Sequence, residues 1–250
     1  MNQMILKNLN ILITGGGKGI GYSTIINSIK EGAFVYTIIK SKSDLTKFKK
    51  YNKNQISIYV GNITDEKLII KIFKDSIKYK RKISGLVNNA GQRQRIKFNK
   101  ITKKEILEIF NINFFSAFRI MQIFTNYLLT NKLKGSIVNI GSIVGQTGFK
   151  DLSGYASTKS ALVGLTKSYS TEFAKLKIRA NIINPGFTKT SYFNKFKKNK
   201  SLYKWTLGRI PQERWGETNE ISNLICFLLS NKSSYITGES INIDGGWLSS

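Results

Sequence analysis

Histidine is absent from the 250 residues, cysteine occurs once, as Cys226, and proline twice. Without an imidazole there is no His-based catalytic triad and no His-rich zinc site, and one thiol cannot close an intramolecular disulfide. No metal site is expected, and any carbonyl chemistry must rest on Tyr, Lys, Ser or carboxylates. No run of about 18 apolar residues marks a membrane span, and the chain reaches its first apolar run without a leader pattern, so a cytoplasmic protein with no membrane partner is expected. Linkers rich in Pro or Ser are missing too. Residues 1–250 therefore read as a single domain, long enough to bury a full core.

Acidic residues are scarce: 14 Asp and Glu stand against 40 Lys and Arg, a formal net charge of +26. Such an excess can mark a nucleic-acid or anionic surface. Here it is mostly Lys, spread over the whole length and accompanied by abundant Asn and Ile, as AT-rich coding gives. Local runs at 78–82 and 195–200 read as solvated faces, and no specific nucleic acid is expected.

What is present is more telling. Tyr155 and Lys159 lie four apart, on one face of a helix, so an ammonium is expected beside the phenol, where it favours the ionised form. That shift matters because a Tyr at its usual pKa of about 10 is a slow acid-base catalyst near neutrality. Near the N-terminus, the apolar residues Ile11, Leu12 and Ile13 run into Thr14-Gly15-Gly16-Gly17-Lys18-Gly19-Ile20-Gly21, followed by helical character over 22–31. Strand, glycine turn and helix N-terminus in that order form a cradle for a pyrophosphate.

Further strands are predicted at Phe34–Ile39, Ile56–Val60, 83–88, 136–140, 178–183 and Ser240–Ile243, with long helical patterns at 102–131 and 154–175. Short β-branched strands alternating with helices specify an α/β fold, a Rossmann-type doubly wound parallel sheet with helices on both faces. Ligands then sit beyond the carboxyl ends of the strands. The glycine turn, Asn88-Asn89-Ala90-Gly91, Ser142 and Pro185-Gly186 all follow predicted strands, so they are expected to line one crevice.

These motifs resemble those of the short-chain dehydrogenase/reductase family over essentially the whole chain. The glycine pattern, Asn88 to Gly91, Asn113, Ser142 thirteen residues before Tyr155, Lys159, Pro185-Gly186 and Asp244-Gly245-Gly246 occur in the family's order. The resemblance implies a catalytic set of Asn113, Ser142, Tyr155 and Lys159. Ser142 would hydrogen-bond a substrate carbonyl, Tyr155 would exchange the proton, and Lys159 would hold a nicotinamide ribose and lower the Tyr155 pKa. Asn113 would fix a water that relays protons. It also implies dinucleotide contacts from Gly15, Gly17, Lys18, Gly19, Ile20 and Gly21, from Lys40, and from Asn62 and Ile63. Asn89, Ala90, Gly91, Tyr155, Lys159, Pro185, Gly186 and Thr188 complete that set. Asn62 stands where relatives commonly have Asp. NAD-selective relatives carry an acid at the end of the second strand, whereas Ile39 is followed here by Lys40-Ser41-Lys42. With cations available and no carboxylate to repel or replace a 2′-phosphate, NADP, as NADPH, is the expected cofactor.

The substrate is expected to border residues 92–95, 143–151 and a lid at about 187–215, with apolar walls from Phe149, Phe187, Tyr192, Trp205 and Trp215. Arg93, Arg95, Lys189, Lys195, Lys197 and Lys198 could attract an acidic substrate or carrier protein. Ser142-Ile143-Val144-Gly145, Pro185-Gly186-Phe187 and Tyr235-Ile236-Thr237-Gly238 are similar to 3-oxoacyl-[acyl-carrier-protein] reductases. Arg214-Trp215-Gly216 and Gly246-Trp247 also resemble sugar-acid and polyol dehydrogenases such as gluconate 5-dehydrogenase. The expectation places a 3-oxoacyl thioester first, acting on a small or carrier-linked carbonyl, and a sugar acid or polyol second. A non-catalytic nucleotide sensor or nucleic-acid-binding protein is the contrasting class, and the complete proton-transfer set argues against it. Apolar positions on the two long helices, including Phe114, Phe115, Phe118, Leu162 and Leu165, suggest pairing across a two-fold axis, and with the resemblance a homotetramer.

Overall fold

The structure, a computed structural model, describes residues 4–249. Seven parallel strands form one sheet in the order β3-β2-β1-β4-β5-β6-β7. They are β1 (Asn10–Thr14), β2 (Phe34–Ile39), β3 (Ile56–Val60), β4 (Gly85–Asn88), β5 (Gly135–Ile140), β6 (Ile178–Pro185) and β7 (Ser240–Ile243). All seven coincide with predicted strands to within a few residues. The order reverses at β1, which pairs with β2 on one side and β4 on the other.

The central strands are apolar on both faces because helices cover both. Alternate side chains divide between two cores: Ile11, Ile13, Val87, Val138, Ile140 and Ile183 face one layer. Leu12, Leu86, Ile137, Ile178 and Ala180 face the other. The first layer is closed by α1 (Gly19–Lys30) and α8 (Thr218–Leu229), which share hydrogen bonds from Asn27 to Ser222 and Asn223. Between them lies the lone cysteine: Cys226 is buried, 3.8 Å from the Ser28 hydroxyl, and burial pushes its thiol up to about 11.

The second layer receives α2 (Glu66–Lys78), α4 (Ser116–Thr130) and part of α5 (Ser153–Phe173). Helices α2 and α8 lie in stretches to which the sequence reading assigned no element. Both carry helical spacing: Ile69, Ile72, Phe73 and Ser76 are buried on α2, and Ile221, Ile225, Leu228 and Leu229 on α8. The Asp65 carboxylate caps α2 by accepting from the Lys67 and Leu68 amides.

The helical pattern predicted at 102–131 is a helix in three pieces. A Thr102–Glu105 capping box starts α3 (Lys103–Phe110), a single π turn follows at Asn111–Phe115, and α4 continues. Contrary to the sequence reading, Lys103–Thr130 is long and apolar enough by length and composition to cross a membrane. Its apolar residues Ile120, Met121, Phe124 and Leu128 pack against the sheet. Phe115 and Phe118 point outward and are exposed, whereas Leu162 is buried and Phe114 and Leu165 are partly covered.

Phe124 has no exposed surface and stacks at 5.7 Å on Phe73. Phe124→Ala should lower the unfolding free energy by about 3–5 kcal/mol, measured by urea denaturation. A loss below about 1 kcal/mol would mean that this layer repacks freely.

Candidate active site

The site begins where the strand order reverses. The Thr14 hydroxyl donates to the Val87 carbonyl and accepts from the amides of Asn89 and Ala90, at 3.1 and 3.0 Å. The Asn89 side chain returns the link, donating to the carbonyls of Thr14 and Gly15 at 2.9 and 3.1 Å. The glycine turn is thereby tied to the loop after β4. A Cβ on Gly15 would stand 2.8 Å from Ala90 Cα, and Gly15 and Gly19 both take positive φ, 69° and 57°, which side chains resist.

The turn feeds α1, whose N-cap Lys18 makes no side-chain cap and whose first turn holds no acid. These unspent amides and the positive end of the helix dipole fit a dinucleotide pyrophosphate. Gly19 lies 3.5 Å, at its Cβ position, from Thr190, so the segment after β6 closes the same crevice. There Thr188 is buried and donates to the Gly186 carbonyl, and Gly186 packs against Asp244. Ile20 is partly buried against the core, while Lys18, Lys40 and Asn62 are exposed at the ends of their strands.

The expectation that no carboxylate stands near the end of β2 needs correction. A 3-10 turn at Lys42–Phe48, capped by the Ser41 hydroxyl and anchored by buried Phe48, folds Asp44 back over the glycine turn. A Cβ on Gly17 would run into the Asp44 carboxylate. Lys47 neutralises that acid, holding Asp44 at 2.5 Å while donating to the Gly17 carbonyl at 2.6 Å. Neither residue was singled out in the sequence. Their position depends on the chain doubling back, which no local spacing announces.

Asn113 and Lys159 meet beside Gly91, and Ser142 stands against Tyr155. The π turn presents Asn113, whose Oδ1 accepts from the Gln92 amide at 2.7 Å and whose Nδ2 donates to the Gln92 carbonyl and to Thr158 Oγ1. Such turns recur at functional sites because they break helical hydrogen bonding locally. Ser142 is extended at the exit of β5, its Oγ accepting from the Val144 amide at 3.2 Å. Tyr155 and Lys159 share one face of α5, as their spacing requires. Lys159 is buried and donates to the Ile140 carbonyl at 2.7 Å. A Cβ on Gly91 would stand 3.3 Å from Asn113 Oδ1 and 3.7 Å from Lys159 Nζ.

The electrostatics differ from the spacing argument. Burial raises the Tyr155 pKa above that of a free phenol, and the groups that oppose this are the Ser142 hydroxyl and then Arg93. Lys159 donates to the Ile140 carbonyl, and its ammonium stands over the Tyr155 ring, 5.7 Å from the ring centre.

The predicted lid segment contains α6 (Phe193–Lys197) and α7 (Lys200–Arg209). It is sealed by an aromatic cluster in which Phe187, Phe196 and Trp215 meet one another, and Phe149 and Phe187 meet Trp247. Tyr192 and Trp205 remain exposed.

Known proteins are similar to this chain in sequence and in fold. The family described as enoyl-(acyl carrier protein) reductase matches residues 15–248. The 3-oxoacyl-[acyl-carrier-protein] reductase of Thermotoga maritima is 33% identical over 246 residues, covering 97% of this chain and 99% of that protein. A structure from Agrobacterium tumefaciens, described as a 2-deoxy-D-gluconate 3-dehydrogenase with bound NADP, superposes with a TM-score of 0.91 at 28% identity, covering both chains fully. A 4-hydroxyisoleucine dehydrogenase complexed with NADH gives 0.90 at 26% identity, over 97% of this chain and 99% of that one.

Burial lowers the Lys159 pKa from 10.5 to about 8. The folded state disfavours the charge, so below pH 8 the residue lowers stability in full. That penalty fades as pH rises from 8 to 10.5, where the unfolded chain still holds the proton that the folded chain has lost. Lys159→Met should therefore compare more favourably with wild type at pH 7 than at pH 10, by up to about 3 kcal/mol. Urea unfolding at both pH values checks this, and a pH-independent difference would contradict it.

Proposed function

The chain belongs to the short-chain dehydrogenase/reductase family, and we propose that, as an NADP(H)-dependent member, it interconverts a ketone and a secondary alcohol through Tyr155. The observation that carries this reading is that Asn113 and Lys159 meet at Gly91 and Ser142 stands against Tyr155, next to an open helix N-terminus shaped for a dinucleotide. Bound there, the nicotinamide supplies or accepts the hydride.

The rest falls to the protein. The Ser142 hydroxyl orients the substrate oxygen and already favours the ionised Tyr155. Tyr155 gives its proton to the developing alkoxide in reduction and takes it back in oxidation. Lys159, with a pKa of about 8, passes protons near neutrality and positions the nicotinamide ribose. Asn113 is fixed by three hydrogen bonds to Gln92 and Thr158, and holds the inner end of that proton path. The aromatic cluster over the crevice keeps water away, so charge developing on the substrate oxygen meets fixed protein dipoles.

Three cations support NADP over NAD. Lys18 and Lys40 are exposed and unpaired among the described residues, and Lys47 can exchange the Asp44 carboxylate for a 2′-phosphate. Relatives by sequence favour a 3-oxoacyl thioester as substrate. A carboxylate-bearing ketone of the sugar-acid kind is a second reading, favoured by an arginine at the cleft that has no acidic partner, Arg93. A homotetramer in the cytoplasm accords with the exposed Phe115 and Phe118 on the long helix. A sole peak at monomer mass by light scattering would count against that assembly.

Tyr155→Phe should reduce NADPH-dependent ketone turnover by at least about a hundredfold while leaving NADPH affinity, read by nucleotide fluorescence, within about twofold of wild type. Near-normal turnover would remove Tyr155 from the mechanism. Lys47→Met should weaken binding of 2′,5′-ADP by on the order of tenfold and leave 5′-AMP unaffected. Equal weakening of both would assign Lys47 to holding the turn instead.

A further inference from the structure

Arg93 sits in a strip whose backbone is fixed on both sides. Both backbone groups of Gln92 are bonded to Asn113, the Gln94 side chain donates to the Glu105 carbonyl, and the Ile96 amide donates to the Asp151 carbonyl at 2.9 Å. The guanidinium lies 5.3 Å from the ring centre of Tyr192, on the segment that covers the cleft. Among the described residues it has no carboxylate partner and no hydrogen-bond acceptor. Arg81, Arg119, Arg179 and Arg214 all spend their donors on protein oxygens. The next cation in the strip is Arg95, which adds like charge, and the Glu105 carboxylate is committed to capping α3 at Thr102.

We propose that Arg93 is the anion receptor of this cleft, and that it binds a carboxylate carried by the ketone or alcohol on which Ser142 and Tyr155 act. A guanidinium offers parallel donors matched to the two oxygens of a carboxylate. Surrounding protein lowers the Arg93 pKa, and no carboxylate opposes that shift. The side chain remains solvent-accessible, so an incoming acid can reach it. Arg93 follows Gln92, which is bonded to Asn113, and Gly91, whose Cβ position lies 3.7 Å from Lys159, so a bound acid would stand close to the reacting carbonyl. Tyr192, stacked over the guanidinium, couples occupancy of the receptor to the cover above it.

This inference rests on the carbonyl-oxidoreductase reading and selects the acid-bearing of its two substrate classes. The test measures NADPH oxidation with 3-oxobutanoate, 4-oxopentanoate and 5-oxohexanoate, each beside its methyl ester, and with acetoacetyl thioester, in wild type, Arg93→Met and Arg93→Lys. The wild type should prefer the best acid over its ester by at least about tenfold in kcat/KM, as one charge-assisted pair allows. In Arg93→Met that ratio should collapse toward one through a rise in the acid's KM. Arg93→Lys should regain part of the ratio, which a merely disrupted fold would not. Equal use of acid and ester by the wild type, or a ratio unmoved by Arg93→Met, overturns the receptor while leaving the reductase reading in place. If no ketone is reduced, the reductase reading falls. Calorimetric binding of 4-oxopentanoate in the presence of NADP+ then decides the receptor: loss in Arg93→Met supports it, and equal binding in both proteins overturns it.

Discussion

Where the strand order reverses between β1 and β4, the Thr14 hydroxyl bonds to three backbone groups of the β4 exit, and Asn89 bonds back to the β1 exit. Two loops that a doubly wound sheet would otherwise leave splayed are thereby held as one piece. Positions further along inherit their accuracy from this junction. Gly91 follows Asn89 by two residues and abuts Asn113 and Lys159, and Lys159 reaches across to Ile140 at the end of β5. The glycine turn, Asn113, Lys159 and Ser142, to which the proposed function gives roles, are registered against one another through hydrogen bonds between strand ends, not through flexible side chains on independent loops.

The same groups carry an energetic burden. Lys159 is a buried amine with no acidic partner among the described residues, and Tyr155 is a phenol whose ionisation burial opposes. A sheet with two complete apolar layers tolerates this, because the strain is confined to the carboxyl edge while Leu12, Ile13, Leu86, Val87, Ile137 and Val138 are fully buried beneath it. Stability is supplied by the layers and spent at the edge, as active sites commonly require.

Sequence and structure agree where a local pattern has one physical outcome. Seven β-branched runs became seven strands, and glycine, Asn-Asn-Ala-Gly and Tyr-x-x-x-Lys motifs met because each follows a strand of one parallel sheet. Helices α2 and α8 were assigned no element, although their buried positions recur at helical spacing. Other features were not legible. The π turn at Asn111–Phe115 is a local change in hydrogen-bond pattern within an otherwise unbroken helical rhythm. Asp44 reaches Gly17 only because Phe48 buries itself and turns the chain back. Spacing placed Lys159 near Tyr155 but could not reveal that a main-chain oxygen of Ile140 had claimed the ammonium.

The solitary thiol has a practical consequence. Cys226 is closed off by the contact of α8 with α1, and α1 is the helix whose first turn faces the proposed dinucleotide site. Its raised pKa and burial make it inert while those helices stay together. Alkylation at this position is therefore a clock for their separation, a native reporter of local opening that needs no introduced label. If the proposed nucleotide meets the far end of the same helix, saturating nucleotide slows that clock by the factor through which it favours the closed pair.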